Sequence, residues 1–416
     1  MTTVVNTRSA HIERGMKKVR GGVTAPLGFL AAGIHCGIKK PCILDLALIV
    51  STQPGPIAGV FTTNRIPAAP VQLDRRHLRH GVGRAIIVNS GNANAFTGAK
   101  GLADAEEVAE LVAKQLNADR RTIFVGSTGV ISEPLQIACI RRGIPTLMAR
   151  LRRTGGGEAA RAILTTDVRP KEAAVRARIG GRPLTVGGMA KGSGMIHPDM
   201  ATMLAYVTTD AAVEPPVLRR ALVAAVNSSF NCISVDGDTS TNDTVLCLAN
   251  GMAGNASIRA DSPEASIFQR LLNHVCLSLA MQVCRDGEGV TKVVELVVTG
   301  AKTAADARQI ARTVGTSSLV KTALFGEDAN WGRIVAAIGR AGVPVDPNRI
   351  GLEFDGIPIV KDGAGLGPAA DRRISRIMRR NEFTITVRLG QGAATARLWT
   401  TDLSYDYIKI NASYRS

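Results

Sequence analysis

Short strand-like apolar runs, closed by glycine or polar turns, alternate along this chain with segments of helical period. No other feature narrows the fold as far. A period of two and a period of 3.6 belong to different elements, so the chain must build an α/β fold from both. Gly83 to Ser90 (GRAIIVNS) reads as a buried strand running into the polar loop GNANAFTG. Leu102 to Asn117 reads as a helix with Val108, Leu111, Val112 and Leu116 on one face. RTIFVGSTG follows as a strand and a glycine turn. Pro215 to Phe230 reads as a second helix, with prolines at its start, where a missing N–H costs nothing. KVVELVVTGA, RIGLEFDGIPIV, EFTITVRLG and ATARLWTTD are strand-rich, and the last two are predicted as an antiparallel pair. The order is no βαβ repeat, so mixed or antiparallel sheets are expected. A chain of 416 residues is long enough for two lobes. Arg152 to Ala162 (RRTGGGEAARA) is its most linker-like stretch.

Aromatic residues make up only 4% of the chain, so the core must rest on Ala, Val, Ile and Leu. A formal net charge of +17 favours acidic partners, either polyanions or small carboxylates. A nucleic-acid binder should interleave its basic residues with aromatics, and this chain does not. The densest basic runs, Arg75 to Arg84 and Asp371 to Arg380, read as solvated surface, with His77 and His80 as part of that surface. Seven cysteines, an odd number without any CxxC, argue against a disulfide framework or structural zinc. Reduced thiols and a cytoplasmic location are expected, with no metal. CILDLALIV is too short to cross a membrane and carries Asp45. The basic N-terminus lacks the apolar segment of a secretory leader.

The glycine-rich stretches do not carry nucleotide chemistry. GGMAKGSG lacks the Gly-Lys-Ser/Thr order of a phosphate loop, and GAGLGP has the wrong spacing for a dinucleotide turn; both read as turns. GSTG does not match a nucleophile elbow, and His197, just before Pro198, reads as turn structure. Thr202 remains, in KGSGMIHPDMATML. As an internal residue it begins a strand. If the Ala201–Thr202 bond were cut, its own α-amine, with a pKa of about 8, could take the hydroxyl proton. The same hydroxyl could make the cut, by attacking the Ala201 carbonyl to give an ester that water opens. Residue types alone leave both readings open.

KGSGMIHPDMATML resembles the processing site of the ornithine acetyltransferase (glutamate N-acetyltransferase) family of arginine biosynthesis. GGVTAPLGFLAAGIHCGIK, VFTTNRIPAAPV, NSGNANAFTG, STGVIS, SVDGDTSTNDT, RDGEGVTK, LVKTALFGEDANWGRI and the final NASYRS also resemble blocks of that family, in its order and over nearly the whole chain.

The resemblance implies a two-lobed α/β sandwich with an N-terminal-nucleophile-type site formed by self-cleavage. Residues 1–201 would become an α chain and 202–416 a β chain beginning at the nucleophile Thr202, commonly in an α2β2 assembly. It implies an oxyanion hole at Thr128 and Gly129. It implies substrate contacts from Thr165 or Thr166, Lys191, Thr202, Glu327, Asn411 and Ser416. The lysine and hydroxyls suit a carboxylate, and Glu327 suits the ornithine ammonium. The reaction implied moves acetyl from N2-acetyl-L-ornithine through Thr202 to L-glutamate, without a cofactor. Some members also use acetyl-CoA as co-substrate, and the sequence leaves that open. Asp199 stands where asparagine is expected, Ala329 where proline is usual, Ser132 in place of glycine and Ser416 in place of threonine. Two rivals are a self-cleaving aminopeptidase, which passes the acyl group to water, and a basic RNA-binding scaffold, which stays uncut.

Overall fold

The computed structural model describes residues 15–197 and 203–413. Its larger sheet has nine strands. The order is Lys17–Lys18, Lys171–Ile179, Arg182–Lys191, Leu204–Thr209, Thr244–Ala249, Leu46–Phe61, Val82–Asn92 and Ile123–Val130, with Phe29–Ile34 also paired to Leu46–Phe61. Two neighbouring pairs are parallel, Leu204–Thr209 with Thr244–Ala249 and Val82–Asn92 with Ile123–Val130; the others are antiparallel. Leu46–Phe61 joins the two halves. Leu46 to Val50 pair with Val82–Asn92, Ile57 to Phe61 pair with Thr244–Ala249, and the register shifts between Val50 and Gly55.

Side-chain alternation turns this sheet into a sandwich. Leu48, Val50, Ala85, Ile87, Ile123 and Val125 pack against residues of the helices Gly98–Leu116 and Ile137–Ala149. Their neighbours Ile49, Ile86, Val88 and Phe124 turn the other way and meet Met189, Leu204, Tyr206, Leu246 and Leu248 from the other half. The sheet therefore folds over into two facing layers. Val186, Ala205, Val207, Val245 and Cys247 on the far side are covered by the helices Pro215–Asn227 and Pro263–Arg285.

The second lobe has a six-stranded sheet, in the order Ala364–Gly365, Ile357–Lys361, Gly351–Phe354, Glu382–Arg388, Val293–Ala301 and Ala394–Thr401. Ala304–Gly315, Trp331–Gly339 and Pro368–Met378 pack on it through Ile310, Ile338 and Ile374. Val293 and Trp399 belong instead to the first lobe's core, which joins the lobes by apolar contact. The expected α/β sandwich with mixed sheets is the architecture found.

Several local expectations need correction. The stretch read as a linker contains a helix, Gly156–Ala162. Ala159, Ala160 and Ala162 are fully buried against the sheet core, so small residues serve packing there, not flexibility. His77 is buried, its Nδ1 lies 2.8 Å from the Ile123 carbonyl, and it meets Phe124 edge-on. Glu382–Arg388 and Ala394–Thr401 run antiparallel but are not neighbours, because Val293–Ala301 lies between them. GGMAK of GGMAKGSG is strand, and STG lies inside the strand Ile123–Val130.

Candidate active site

Thr128, Gly129, Thr165, Thr166, Lys191 and Asn411, all predicted from the sequence, line one cleft of about 590 Å3 including its mouth. Thr128 and Gly129 come from the end of Ile123–Val130, where the partner strand shifts register at Gly91 and Asn92. Gly129 sits at φ 134°, and a Cβ there would stand 2.3 Å from the Gly91 carbonyl carbon and 2.5 Å from the Asn92 nitrogen. Only glycine permits that approach. Asn242, also in the lining, donates its amide to Ala93 O (2.6 Å) and Ser127 O (2.8 Å), which fixes this strand end.

Lys191 ends the strand Arg182–Lys191 and is almost wholly buried. Its Nζ donates to Thr165 Oγ1 at 2.8 Å, and Asp167 stands 3.8 Å away. Asp167 accepts from the amides of Gly192 (2.7 Å) and Thr165 (3.0 Å) and from Lys171 Nζ (2.6 Å). Lys171 also pairs with Asp286 at 2.6 Å. The buried charges thus alternate in sign, the condition under which charges persist in an interior. Burial lowers the Lys191 pKa, with Asp167 opposing. Burial raises that of Asp167, but Lys191 and Lys171 outweigh it and hold the carboxyl well below its usual range.

Among the lining residues, Glu288 is one that sequence reasoning missed. It lines the cleft, and its Oε2 accepts from Asn411 Nδ2 at 2.8 Å. A Cβ on Gly194 would stand 2.3 Å from the same oxygen, so the second glycine of KGSG makes room for this carboxylate. The available signal was the acid held between two glycines in RDGEGVTK. Glu327, the acid named from the sequence, is not in the lining; it is half exposed and pairs with Lys292 at 3.1 Å. Asp199, Ala201, Thr202 and Ser416 lie outside the described residues. The chain is described again from Met203, and Leu204 pairs with Lys191 across the sheet.

A half-buried cleft with a few convergent polar groups, set in a folded-over α/β sandwich, defines an enzyme for small polar molecules. The sequence matches the ArgJ family over residues 30–416. The chain belongs to the ArgJ family. It is 50% identical over 389 residues to the "Arginine biosynthesis bifunctional protein ArgJ" of Geobacter sulfurreducens, covering 94% of this chain and 99% of the relative. It is 49% identical over 405 residues to the protein of that name from Symbiobacterium thermophilum, covering 96% and 100%. A crystal structure of arginine biosynthesis bifunctional protein argJ from Bacillus halodurans matches with 41% identity and a TM-score of 0.48, covering 50% of this chain and 98% of that one.

Proposed function

We propose that this chain is an acetyltransferase of arginine biosynthesis that cuts itself before Thr202 and then uses Thr202 as nucleophile. The observation that carries the reading is the convergence of Thr128, Gly129, Lys191 and Glu288 on one cleft, with Lys191 paired to Leu204 two residues beyond Thr202. Lys191 and Thr165 take the α-carboxylate of N2-acetyl-L-ornithine, and Glu288 takes the side-chain ammonium in the place first given to Glu327.

The Thr202 hydroxyl attacks the acetyl carbonyl and gives its proton to its own α-amine. The oxyanion meets the Thr128 hydroxyl and the Gly129 N–H. The proton passes to the departing nitrogen, ornithine leaves, and an acetyl ester remains on Thr202. The amine of L-glutamate then attacks that ester and leaves as N-acetyl-L-glutamate. The relatives are named bifunctional, and we propose for this chain a second route, with acetyl-CoA as acetyl donor to glutamate. No cofactor enters either route. The cut chains are proposed to stay together, because Arg182–Lys191 and Leu204–Thr209, on opposite sides of the cut, are paired along their length; the α2β2 assembly is carried over from the family resemblance alone.

The test is a gel and N-terminal sequencing. The unaltered chain should yield two fragments, the second beginning Thr-Met-Leu-Ala, and Thr202→Ala should stay whole and inactive. Cleavage in the alanine variant would overturn the reading.

A further inference from the structure

Two carboxylates from one loop, Asp236 partly buried and Asp243 fully buried, grip the chain on both sides of residues 197–202. Upstream, Asp236 accepts the amides of Met195 (2.5 Å, on Oδ2) and Ile196 (2.9 Å, on Oδ1), and Val235 N–H donates to the Ile196 carbonyl at 2.8 Å. Met195 is held at φ 59°, a backbone that a non-glycine residue keeps only where its surroundings enforce it. Downstream, Asp243 accepts the amide of Met203 on Oδ1 at 2.8 Å, and Thr244 N–H donates to the Met203 carbonyl at 3.1 Å. Asp243 is fully buried, and its Oδ2 has no partner among the described residues.

The loop is itself anchored. Asn242 ties it to Ser127, one residue before Thr128, and the Asp243 carbonyl accepts from Thr62 N–H at 2.9 Å. One rigid loop therefore fixes the approach to the cut, the departure from it and the strand that ends in Thr128 and Gly129.

We propose that Asp236 and Asp243 are positioning residues for self-cleavage, an inference that rests on the cut before Thr202 proposed above. In that step the Thr202 Oγ–C bond to Ala201 forms and the Ala201–Thr202 C–N bond breaks, while the hydroxyl proton moves to the departing nitrogen. Water then opens the ester to a carboxyl on Ala201 and the free hydroxyl of Thr202. The attack needs carbonyl and hydroxyl held in a geometry that a free loop would rarely visit, and anchoring both flanks raises that population. After the cut, the grip on Met203 still holds the head of the β chain. The grip on Ile196 then serves a finished end, while Asp236 still holds Met195 of the cleft wall and accepts from the Tyr407 hydroxyl at 3.3 Å, so its larger effect falls on processing.

The experiment follows cleavage of the full chain over time in a cell-free translation mixture. Asp236→Asn and Asp243→Asn should each slow the cut about tenfold or more, and the alanine variants should slow it further, because asparagine keeps one acceptor oxygen. Asp236→Asn in residues 202–416, made together with residues 1–201 so that no cut is needed, should lose far less transfer rate than the full-length variant loses cleavage rate. Cleavage of both asparagine variants at the normal rate, with Thr202→Ala uncut, would overturn the clamp and leave self-cleavage standing. Cleavage of Thr202→Ala would overturn both. A pre-cut Asp236→Asn enzyme that loses transfer as severely as cleavage would also overturn the proposal, since the role would then be general to the fold.

Discussion

Asn411 donates its side-chain amide to Glu288 across 2.8 Å, which ties the C-terminal helix Tyr405–Ser413 to the loop after Pro263–Arg285. That contact holds one carboxylate at the cleft wall. If Glu288 receives the substrate ammonium, Glu288→Gln removes a charged partner made equally in ground and transition states. KM for N-acetylornithine should rise about 10- to 100-fold with kcat little changed. Glu327→Gln should change KM less than about twofold, since an exposed pair contributes little. Initial rates on the two variants decide it; equal rises in KM would remove Glu288 from the role.

A second expectation concerns Lys191, which must be protonated to hold a carboxylate. Burial lowers its pKa, and Asp167 is the leading opposing charge. Glu288 and Asp243 also favour the ammonium, while Lys171 and Lys39 oppose it. Asp167→Asn removes the main support, so deprotonation comes at lower pH. The alkaline limb of kcat/KM should move down the pH scale by about one unit or more. A pH–rate profile with the limb unmoved would show that Asp167 only packs.

Much of the fold was legible because its elements state their own period. Val82–Asn92 and Gly98–Leu116 match their predicted spans within a few residues, since burial and periodicity agree there. His77 was misread because its neighbours in sequence are arginines, yet it shares a helix face with Leu73, four residues earlier, and that face is buried. Gly156–Ala162 was misread because three glycines look flexible until a sheet is laid against them. The choice between Glu288 and Glu327 was beyond the residues themselves. Each acid follows a glycine, and what separates them is a contact between positions 123 residues apart. Asp167 escaped notice for the same reason: its role depends on Lys171 and Lys191 closing around it in space.

Asp236 gives a stability prediction with a definite sign. Burial pushes its carboxyl up to about 6, although the amides of Met195, Asp238 and Ile196 pull it down. Tyr407 and Asp238 face it as well, with Lys321 nearby. Between the usual carboxylate range and pH 6 the folded state binds more protons here than the unfolded state. This group's contribution to stability is therefore largest at low pH and is lost as pH rises through about 6. Asp236→Asn does not titrate. The Tm of the unaltered protein minus that of the variant should fall as pH rises from about 4 to about 6.5. A constant difference in thermal scans would refute the shift.

The last prediction separates the proposed oxyanion role of Thr128 from its place in the strand. Negative charge on the acetyl oxygen exists mainly in the tetrahedral state, so a donor aimed at it lowers the barrier without tightening substrate binding. Thr128→Ala should therefore cut kcat by about 10²–10³ while KM stays near its normal value. Cleavage before Thr202 passes through a similar oxyanion and should slow as well, which would confound a measurement on the full chain. Residues 1–201 made together with a second chain beginning at Thr202 remove that difficulty, because no cut is needed. The fold should survive the substitution, since Asn242 fixes this strand end through the carbonyls of Ala93 and Ser127 and makes no use of the Thr128 hydroxyl. Mass spectrometry of the pre-cut enzyme mixed with acetylornithine alone should then show slow gain of one acetyl group on the Thr202 chain. If pre-cut Thr128→Ala assembles and gains acetyl at the unaltered rate, the charge is stabilised elsewhere and Gly129 must act with another donor of the cleft.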